Sequence, residues 1–359
     1  MLHVIVMAGG AGTRFWPASR KDSPKQLLKL VGDRSMLQAT VDRIGTLCPK
    51  ENVLVVTNKA LVDAVRTQLP DLPPESVIGE PAKRDTAPCI ALAAALILKK
   101  DPDATMLVMP ADHVINPTGN FVTAVREAMN LLERQPENII TFGITPTYPA
   151  DVFGYIERGE SLPGVSSTAA FKVARFREKP DLKTANEFFE SGRFYWNAGI
   201  FVWKARTIDQ AINKFEPEIH SHIRTIVSAM GTDRFQSTFQ EEFIKITGKS
   251  IDFAVMERYQ PVIVFEASFQ WDDVGNWTAV PRLTGVDRDG NSISGKHVGI
   301  KTSGSIIRTT PDHLVATLGV DNLIIVHTPN ATLVANRNDE SAVKQIVETL
   351  EKMGWEGYV

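Results

Sequence analysis

The segment Gly9–Gln26, GGAGTRFWPASRKDSPKQ, gathers residue types that handle phosphate. Gly9, Gly10 and Gly12 let the backbone turn sharply and approach a ligand closely, so that successive N–H groups face phosphate oxygens. Arg14 and Lys25 add the positive charge that a phosphate chain requires. The string is not a dinucleotide fingerprint, because Phe15 stands where the third glycine would be. It is not a Walker A loop either, because the Gly-Lys-Ser/Thr ending is absent. No G-x-S-x-G elbow is present, so the pattern points away from acyl transfer by a serine nucleophile. A carboxylate, Asp112, follows closely on the apolar run Met106–Met109.

These residues need elements to position them. The glycine-rich string follows directly on Leu2–Met7, a buried strand by its β-branched content. Val53–Val56, Val77–Ile78, Met106–Met109 and Ile139–Ile144 read as further strands. Helical stretches lie between them. The clearest is Thr86–Lys100, with Thr86 as its expected N-cap, Pro88 in its first turn and two lysines at its C-terminal end. Strands alternating with helices imply a mostly parallel sheet covered on both faces. Ligands of such sheets sit at the carboxyl ends of the strands, where both Gly9 and Asp112 fall. Residues 150 to about 285 are more mixed, with helical segments Ile208–Phe215 and Ser250–Arg258 and a short apolar run Val262–Phe265. Val286–Gly295, rich in Asp, Gly, Asn and Ser, reads as a boundary. Residues 296–335 are β-rich, and a final helix from about Glu340 to Met353 presents Val343, Ile346, Val347 and Leu350 on one face.

The chain has 359 residues, which predicts two or three domains. Its 43% hydrophobic and 23% charged residues are ordinary for a globular protein and argue against disorder. The net charge of −3 disfavours a nucleic-acid binder. No long apolar run suggests a membrane span, and the N-terminus lacks the basic start of a signal peptide, so a cytoplasmic location is expected. Cys48 and Cys89 make neither a disulfide framework nor a zinc set, and are expected as small buried or half-buried residues. His113 is expected as a spare surface residue or as a support to the site from nearby rather than a ligand, and His220 and His222, two apart, share no helix face and are assigned no metal.

The string G-x-G-T-R-x₉-P-K resembles the signature of sugar-1-phosphate nucleotidyltransferases. In its fuller form it is similar to the mannose-1-phosphate guanylyltransferase branch. EPAKRDTAP, MPADHVI, FGYIE, FREKP, YWNAGIF, SIDFAVME and WDDVGNW follow in that family's order, so the resemblance spans nearly the whole chain. It implies an α/β fold, a Rossmann-like mixed, mostly parallel sheet over residues 1–285, followed by a small left-handed β-helix with a terminal helix over 286–359. Some relatives carry an added isomerase domain; ending at Val359, this chain is expected to have the transferase activity alone. The reaction implied is GTP plus mannose 1-phosphate giving GDP-mannose and pyrophosphate. The nucleophile is already an anion, so catalysis is expected to be positioning and charge neutralisation without a general base.

Carried onto matching positions, the resemblance assigns Arg14, Lys25 and Lys179 as catalytic, with Arg14 and Lys25 on the triphosphate and Lys179 on the sugar phosphate. It assigns the nucleotide to Ala8, Gly9, Gly10, Gly12, Thr13, Glu80, Arg84, Thr86, Pro110 and Asp112. It assigns the sugar to Gly154, Glu178, Lys179 and Asn197. Asp112 and Asp273 resemble the family's two magnesium ligands; magnesium takes few carboxylates and completes its shell with water and phosphate oxygens. In W-x-D-x-G-x-W the pattern selects Asp273 over Asp272. Guanine offers N1–H and N2–H₂ as adjacent donors, and a carboxylate accepts both; Glu80 stands where uridylyl- and thymidylyl-transferring relatives place glutamine. Arg84 or backbone near Thr86 is then expected to serve O6. Tyr195, Trp196 and Trp203 read as core or pocket wall. A homodimer is expected. The alternatives are a sugar nucleotidyltransferase using glucose 1-phosphate or another base, and an inactive nucleotide-sugar sensor, whose mark would be loss of the charged set that is present here. A glycosyltransferase is disfavoured because Ala111-Asp112-His113 supplies no D-x-D metal motif.

Overall fold

The computed structural model describes residues 1–10 and 12–359; Ala11, inside the glycine-rich string, lies outside the described residues. The chain divides into two compact units. The first comprises Met1–Gly9, Val41–Ala111 and Ile115–Trp271; the second comprises Gly10–Thr40, Asp112–Val114 and Asp272–Val359.

The strands up to Asp272 are β1 (Leu2–Ala8), β2 (Val53–Asn58), β3 (Val77–Glu80), β4 (Thr105–Pro110), β5 (Val114–Asn116), β6 (Ile139–Ile144), β7 (Tyr155–Ser161), β8 (Ala170–Arg177), β9 (Phe194–Lys204), β10 (Val262–Glu266) and β11 (Gln270–Asp272). All but the short β5 and β11 form one nine-stranded sheet in the order β3-β2-β1-β4-β9-β6-β10-β8-β7. β1 pairs in parallel with β2 and β4, β2 with β3, and β6 with β10. Only β8 and β9 run the other way. The expected mixed, mostly parallel sheet is therefore present. Its central strands are apolar on both faces, as burial on both sides demands: Val4, Ile5 and Val6 of β1 and Met106 to Met109 of β4 are fully buried.

The helix Thr86–Leu98 is buried almost all round, its alanines allowing close packing against the helices Ala205–Phe215 and Pro217–Ser228. Its cap differs from expectation. Asp85, at φ 65°, caps the helix by accepting from the Thr86 N–H. The Thr86 hydroxyl is taken instead by the Ile251 N–H at 2.8 Å. The segment expected as a helix over Ser250–Arg258 contains a π-turn, Asp252–Met256, closed by the Glu257 N–H to the Asp252 carbonyl. β9 is not legible from spacing, because its nearly continuous apolar run FYWNAGIFVWK shows no period. It nevertheless bridges the parallel set β1–β4 and the remainder of the sheet. Tyr195, Trp196 and Trp203 are buried on it, as expected.

The second unit contains β12 (Ser292–Ser294), β13 (Lys296–Ser303), β14 (Ile306–Arg308), β15 (Leu314–Asp321), β16 (Leu323–Thr328) and β17 (Ala331–Asn336). β12, β14 and β16 stack in parallel, as do β13 and β15, giving successive coils of a β-helix-like domain; β17 closes antiparallel on β16. Ile306, Ile324, Val326 and Leu333 point into its core. The helix Val343–Lys352 packs Val343 and Val347 on them, with Ile346 and Leu350 partly covered, the face expected from its spacing. Phe15, Trp16, Val274 and Trp277 share this core. From Gly10 onward the glycine-rich string, and from Asp272 onward the WDDVGNW segment, therefore fold with the β-rich tail rather than with the large sheet.

Candidate functional site

In the second unit the core fixes the charged residues. Phe15 meets Trp277 edge to face at 5.0 Å, and the Trp277 indole donates to the Trp16 carbonyl at 3.2 Å. The Trp16 indole in turn donates to the Tyr358 carbonyl at 2.7 Å. These anchors hold the start of the chain against the segment bearing Asp273. Gly12, at φ +58°, lies against Lys25 so closely that a Cβ there would stand 2.5 Å from the Lys25 Cβ and 2.8 Å from its backbone nitrogen. Only glycine meets both demands. Gly10 also has positive φ, at +114°.

Lys25 is buried, 6% exposed, and its ammonium donates to Asp112 Oδ2 at 2.7 Å and to the Asp273 carbonyl at 2.5 Å. Burial opposes ionisation of Asp112, but Lys25 and His113 outweigh it and hold the carboxyl below the usual range. Burial pushes Asp273 up; Lys25 opposes this, while Asp272 and Asp112 add to it. The two aspartates thus repel each other, opposed by the Lys25 ammonium and, at Asp273, by the Arg14 guanidinium. Among the described residues no group of three or more His, Cys, Asp or Glu could hold a metal. A site offering two carboxylates suits magnesium, which takes one or two together with substrate phosphates. Asp272 is committed elsewhere: Arg282 donates to its Oδ2 from Nε at 3.1 Å and from Nη2 at 3.0 Å, and the Val274 N–H donates to its Oδ1 at 2.8 Å. Arg14 is exposed. A Cβ on Gly275 would lie 3.5 Å from its Nη1 and 3.1 Å from Asp273 Oδ2, so both side chains lie against this glycine.

The first unit holds a second cluster. Gly154, Glu178, Lys179 and Asn197, four positions scattered through the sequence, come together here. A Cβ at Gly154 would stand 2.5 Å from Glu178 Oε2 and 3.4 Å from the Asn197 Cβ. The Asn197 N–H donates to the Gly154 carbonyl at 2.8 Å. Lys179, in the left-handed region at φ 41°, pairs with Glu178 at 3.2 Å. Asp252 joins this group, accepting from Asn197 Nδ2 at 3.1 Å. Burial raises Glu178, and burial next to Glu178 raises Asp252 to about 7. The motif SIDFAVME contained Asp252, but nothing in the string separates it from Glu257; contact with Asn197 does.

Glu80 ends β3, and its Oε1 is buried without a hydrogen-bond partner. Burial pushes this carboxyl up to about 8. Arg84 donates from Nη1 to the Lys83 carbonyl at 3.0 Å and from Nη2 to the Ile244 carbonyl at 2.5 Å, and the Thr86 N–H serves Asp85. Of the donors expected for O6, the Arg84 Nη1 and Nη2 and the Thr86 N–H are thus engaged with protein acceptors, while the Arg84 Nε is buried without a partner. Ala8 and Pro110 stand at the ends of β1 and β4, Ala8 accepting from the Thr57 hydroxyl at 3.0 Å. Gly9 is exposed and Thr13 half-buried. Both cysteines are free; burial raises the Cys48 thiol to about 11 and the Cys89 thiol well above its usual value, so neither is a ready nucleophile.

Comparison with known proteins places the chain in a family. The family described as Nucleotidyl transferase matches residues 3–285, and the MannoseP isomerase/GMP-like beta-helix domain matches 295–350. The chain is 40% identical to the mannose-1-phosphate guanylyltransferase of Escherichia coli K12, over 98% of this chain and 74% of that protein. It is 39% identical to mannose-1-phosphate guanylyltransferase ManC of Salmonella typhimurium LT2, with the same coverage. A crystal structure of a mannose-1-phosphate geranyltransferase from Thermus thermophilus aligns with a TM-score of 0.85 at 30% identity, covering 98% of this chain and 99% of that one. With two domain matches in order and such identity over nearly its full length, the chain belongs to the mannose-1-phosphate guanylyltransferase family of nucleotidyl transferases.

Proposed function

We propose that this protein transfers GMP from GTP to mannose 1-phosphate, releasing GDP-mannose and pyrophosphate. The observation that carries the reading is the buried Lys25 ammonium beside Asp112 and Asp273, a polyphosphate-and-cation arrangement rather than an acyl-transfer or hydride-transfer one. An oxygen of the sugar phosphate attacks the α-phosphorus in line. As that bond forms, the bond to the bridging oxygen of the β-phosphate breaks, and its electron pair leaves with pyrophosphate. No proton need be removed from the nucleophile, so positioning and charge neutralisation supply the rate.

In this reading Arg14 and Lys25 neutralise the triphosphate, and main-chain N–H groups at Gly9, Gly10, Gly12 and Thr13 face its oxygens. Asp112 and Asp273 would hold magnesium, which when bound supplies charge neutralisation at the phosphates. Lys179 holds the sugar phosphate, and Glu178, Asn197 and Gly154 hold the sugar. Glu80 reads guanine: its buried Oε1 has no partner, and guanine brings two adjacent donors, which favour the ionised carboxylate over the protonated form that burial alone imposes. Residues 1–285 carry the transferase side chains and 286–359 the β-helix that completes their core, acting together as a cytoplasmic homodimer; exposed Ile300 and Leu318 offer apolar surface for such an assembly. No helix among the described residues is long and apolar enough to cross a membrane.

The test is pyrophosphate release with GTP and mannose 1-phosphate, with and without magnesium. It is run against the other three nucleotides and against glucose 1-phosphate. Turnover confined to GTP, mannose 1-phosphate and magnesium is expected. Preference for another base or sugar phosphate would overturn the assignment.

A further inference from the structure

The Asn197 amide has a settled orientation. Its Oδ1 accepts from the Thr141 hydroxyl at 3.1 Å and from the Gly199 N–H at 3.2 Å, so its NH₂ must be the group facing Asp252. One of the two amide hydrogens goes to Asp252 Oδ1, and one remains. Asp252 has a second carboxylate oxygen. The contacting pair thus has a further donor N–H and a further acceptor oxygen to offer, and a sugar hydroxyl, which both accepts and donates, is chemically matched to such a pair.

The π-turn explains how Asp252 comes to be there. In an α-helix, residues five apart point about 140° away from each other. The i→i+5 bond from the Glu257 N–H to the Asp252 carbonyl draws these two residues toward one side. Asp252 then reaches Asn197 on β9, while Glu257 accepts from the Glu178 N–H at 3.1 Å. The turn thus touches both Asn197 and the Glu178–Lys179 segment.

We propose that Asp252 is a sugar-specificity residue, its second carboxylate oxygen accepting from one ring hydroxyl of the sugar 1-phosphate whose oxygen takes the remaining N–H of Asn197. Glu257 is a positioning residue that holds Glu178 through its backbone. The inference rests on the proposed sugar-phosphate reading and names the contact that distinguishes one hydroxyl configuration from another.

The experiment is kinetics of the full chain and of Asp252→Asn with GTP and a panel: mannose 1-phosphate, glucose 1-phosphate, and the 2-, 3-, 4- and 6-deoxy analogues of mannose 1-phosphate. Asp252→Asn keeps the shape and loses the acceptor charge. The expected result is a rise in KM for mannose 1-phosphate of about tenfold or more, with KM for GTP unchanged. One deoxy analogue, lacking the hydroxyl that is read, should be used equally by both proteins. Melting temperature is measured in parallel, and Asp252→Ala serves as a second variant. Unchanged sugar KM across the panel would overturn the proposal. So would equal KM increases for GTP and every sugar accompanied by lost stability, which is the mark of a structural role. If the unaltered protein rejects mannose 1-phosphate but uses another sugar phosphate of the panel, the parent reading fails. The Asp252 comparison is then scored on the accepted sugar.

Discussion

Charge placement at single residues decides what each carboxylate does. Asp272 and Asp273 are neighbours in sequence, but Arg282 clamps the first while the second stands with Asp112 and Lys25. Asp273→Asn should therefore cut magnesium-dependent turnover on the order of 10²- to 10³-fold with little change in melting temperature, since a charge aimed at the phosphates is lost. Asp272→Asn should loosen the Arg282 contact and cost activity far less; equal losses in steady-state kinetics would reject the distinction. Glu80 makes a prediction in pH. Its carboxyl rises from an ordinary 4.5 to about 8 on folding, so the folded protein holds a proton there that the unfolded chain has released. That contribution to stability is complete below pH 4.5 and is lost as pH climbs through 8. Glu80→Gln, always neutral, keeps it. The variant should melt no differently near pH 5 and a few degrees higher near pH 8.5, while its GTP-over-UTP preference falls by about 100-fold or more. A constant difference in melting temperature across that range would remove Glu80's burial as its cause.

Elements set where these residues can stand. Trp277 is 3% exposed, packs on Phe15 and donates to the Trp16 carbonyl, so it ties the WDDVGNW segment to the glycine-rich string inside one core. Trp277→Ala should cost about 3–5 kcal/mol in denaturant unfolding and reduce turnover, although the residue carries no charge. Trp277→Phe keeps the ring packing and should cost about 1 kcal/mol, the loss of a hydrogen bond. At the other cluster, two strained turns do related work. Asp85 at φ 65° and Lys179 at φ 41° lie in backbone conformations that L side chains rarely adopt, and both flank the carboxylates of the sugar cluster. The motifs EPAKRDTAP and FREKP were legible as strings. Their strain was not, because it arises from what the rest of the fold demands of them.

At the scale of the molecule, chain order and compactness part company. Residues 10–40 and 272–359 make one unit with 112–114, although some 230 residues separate the two long pieces. Removing residues 286–359 would strip Ile306, Ile324, Leu333 and Val347 from the core that Phe15, Trp16 and Trp277 share. A chain ending at Gly285 should therefore be aggregation-prone and inactive, despite retaining Lys25, Asp112 and Asp273; a stable, active truncation, judged by size-exclusion chromatography and pyrophosphate release, would refute this. What residue order alone determined was substantial. The glycine-rich string, the apolar strands, the terminal helix face and the charged set were all readable, because period, turn chemistry and residue type are local properties. The motif pattern already selected Asp273 over Asp272, but only tertiary structure showed what engages Asp272, the Arg282 guanidinium. Tertiary structure also capped the helix at Asp85, opened a π-turn that delivers Asp252 to Asn197, and folded Gly10 and Gly12 with the β-rich tail. Each of these depends on a partner far away in sequence, and hydrogen bonds and close packing between distant residues leave no period in the string that encodes them.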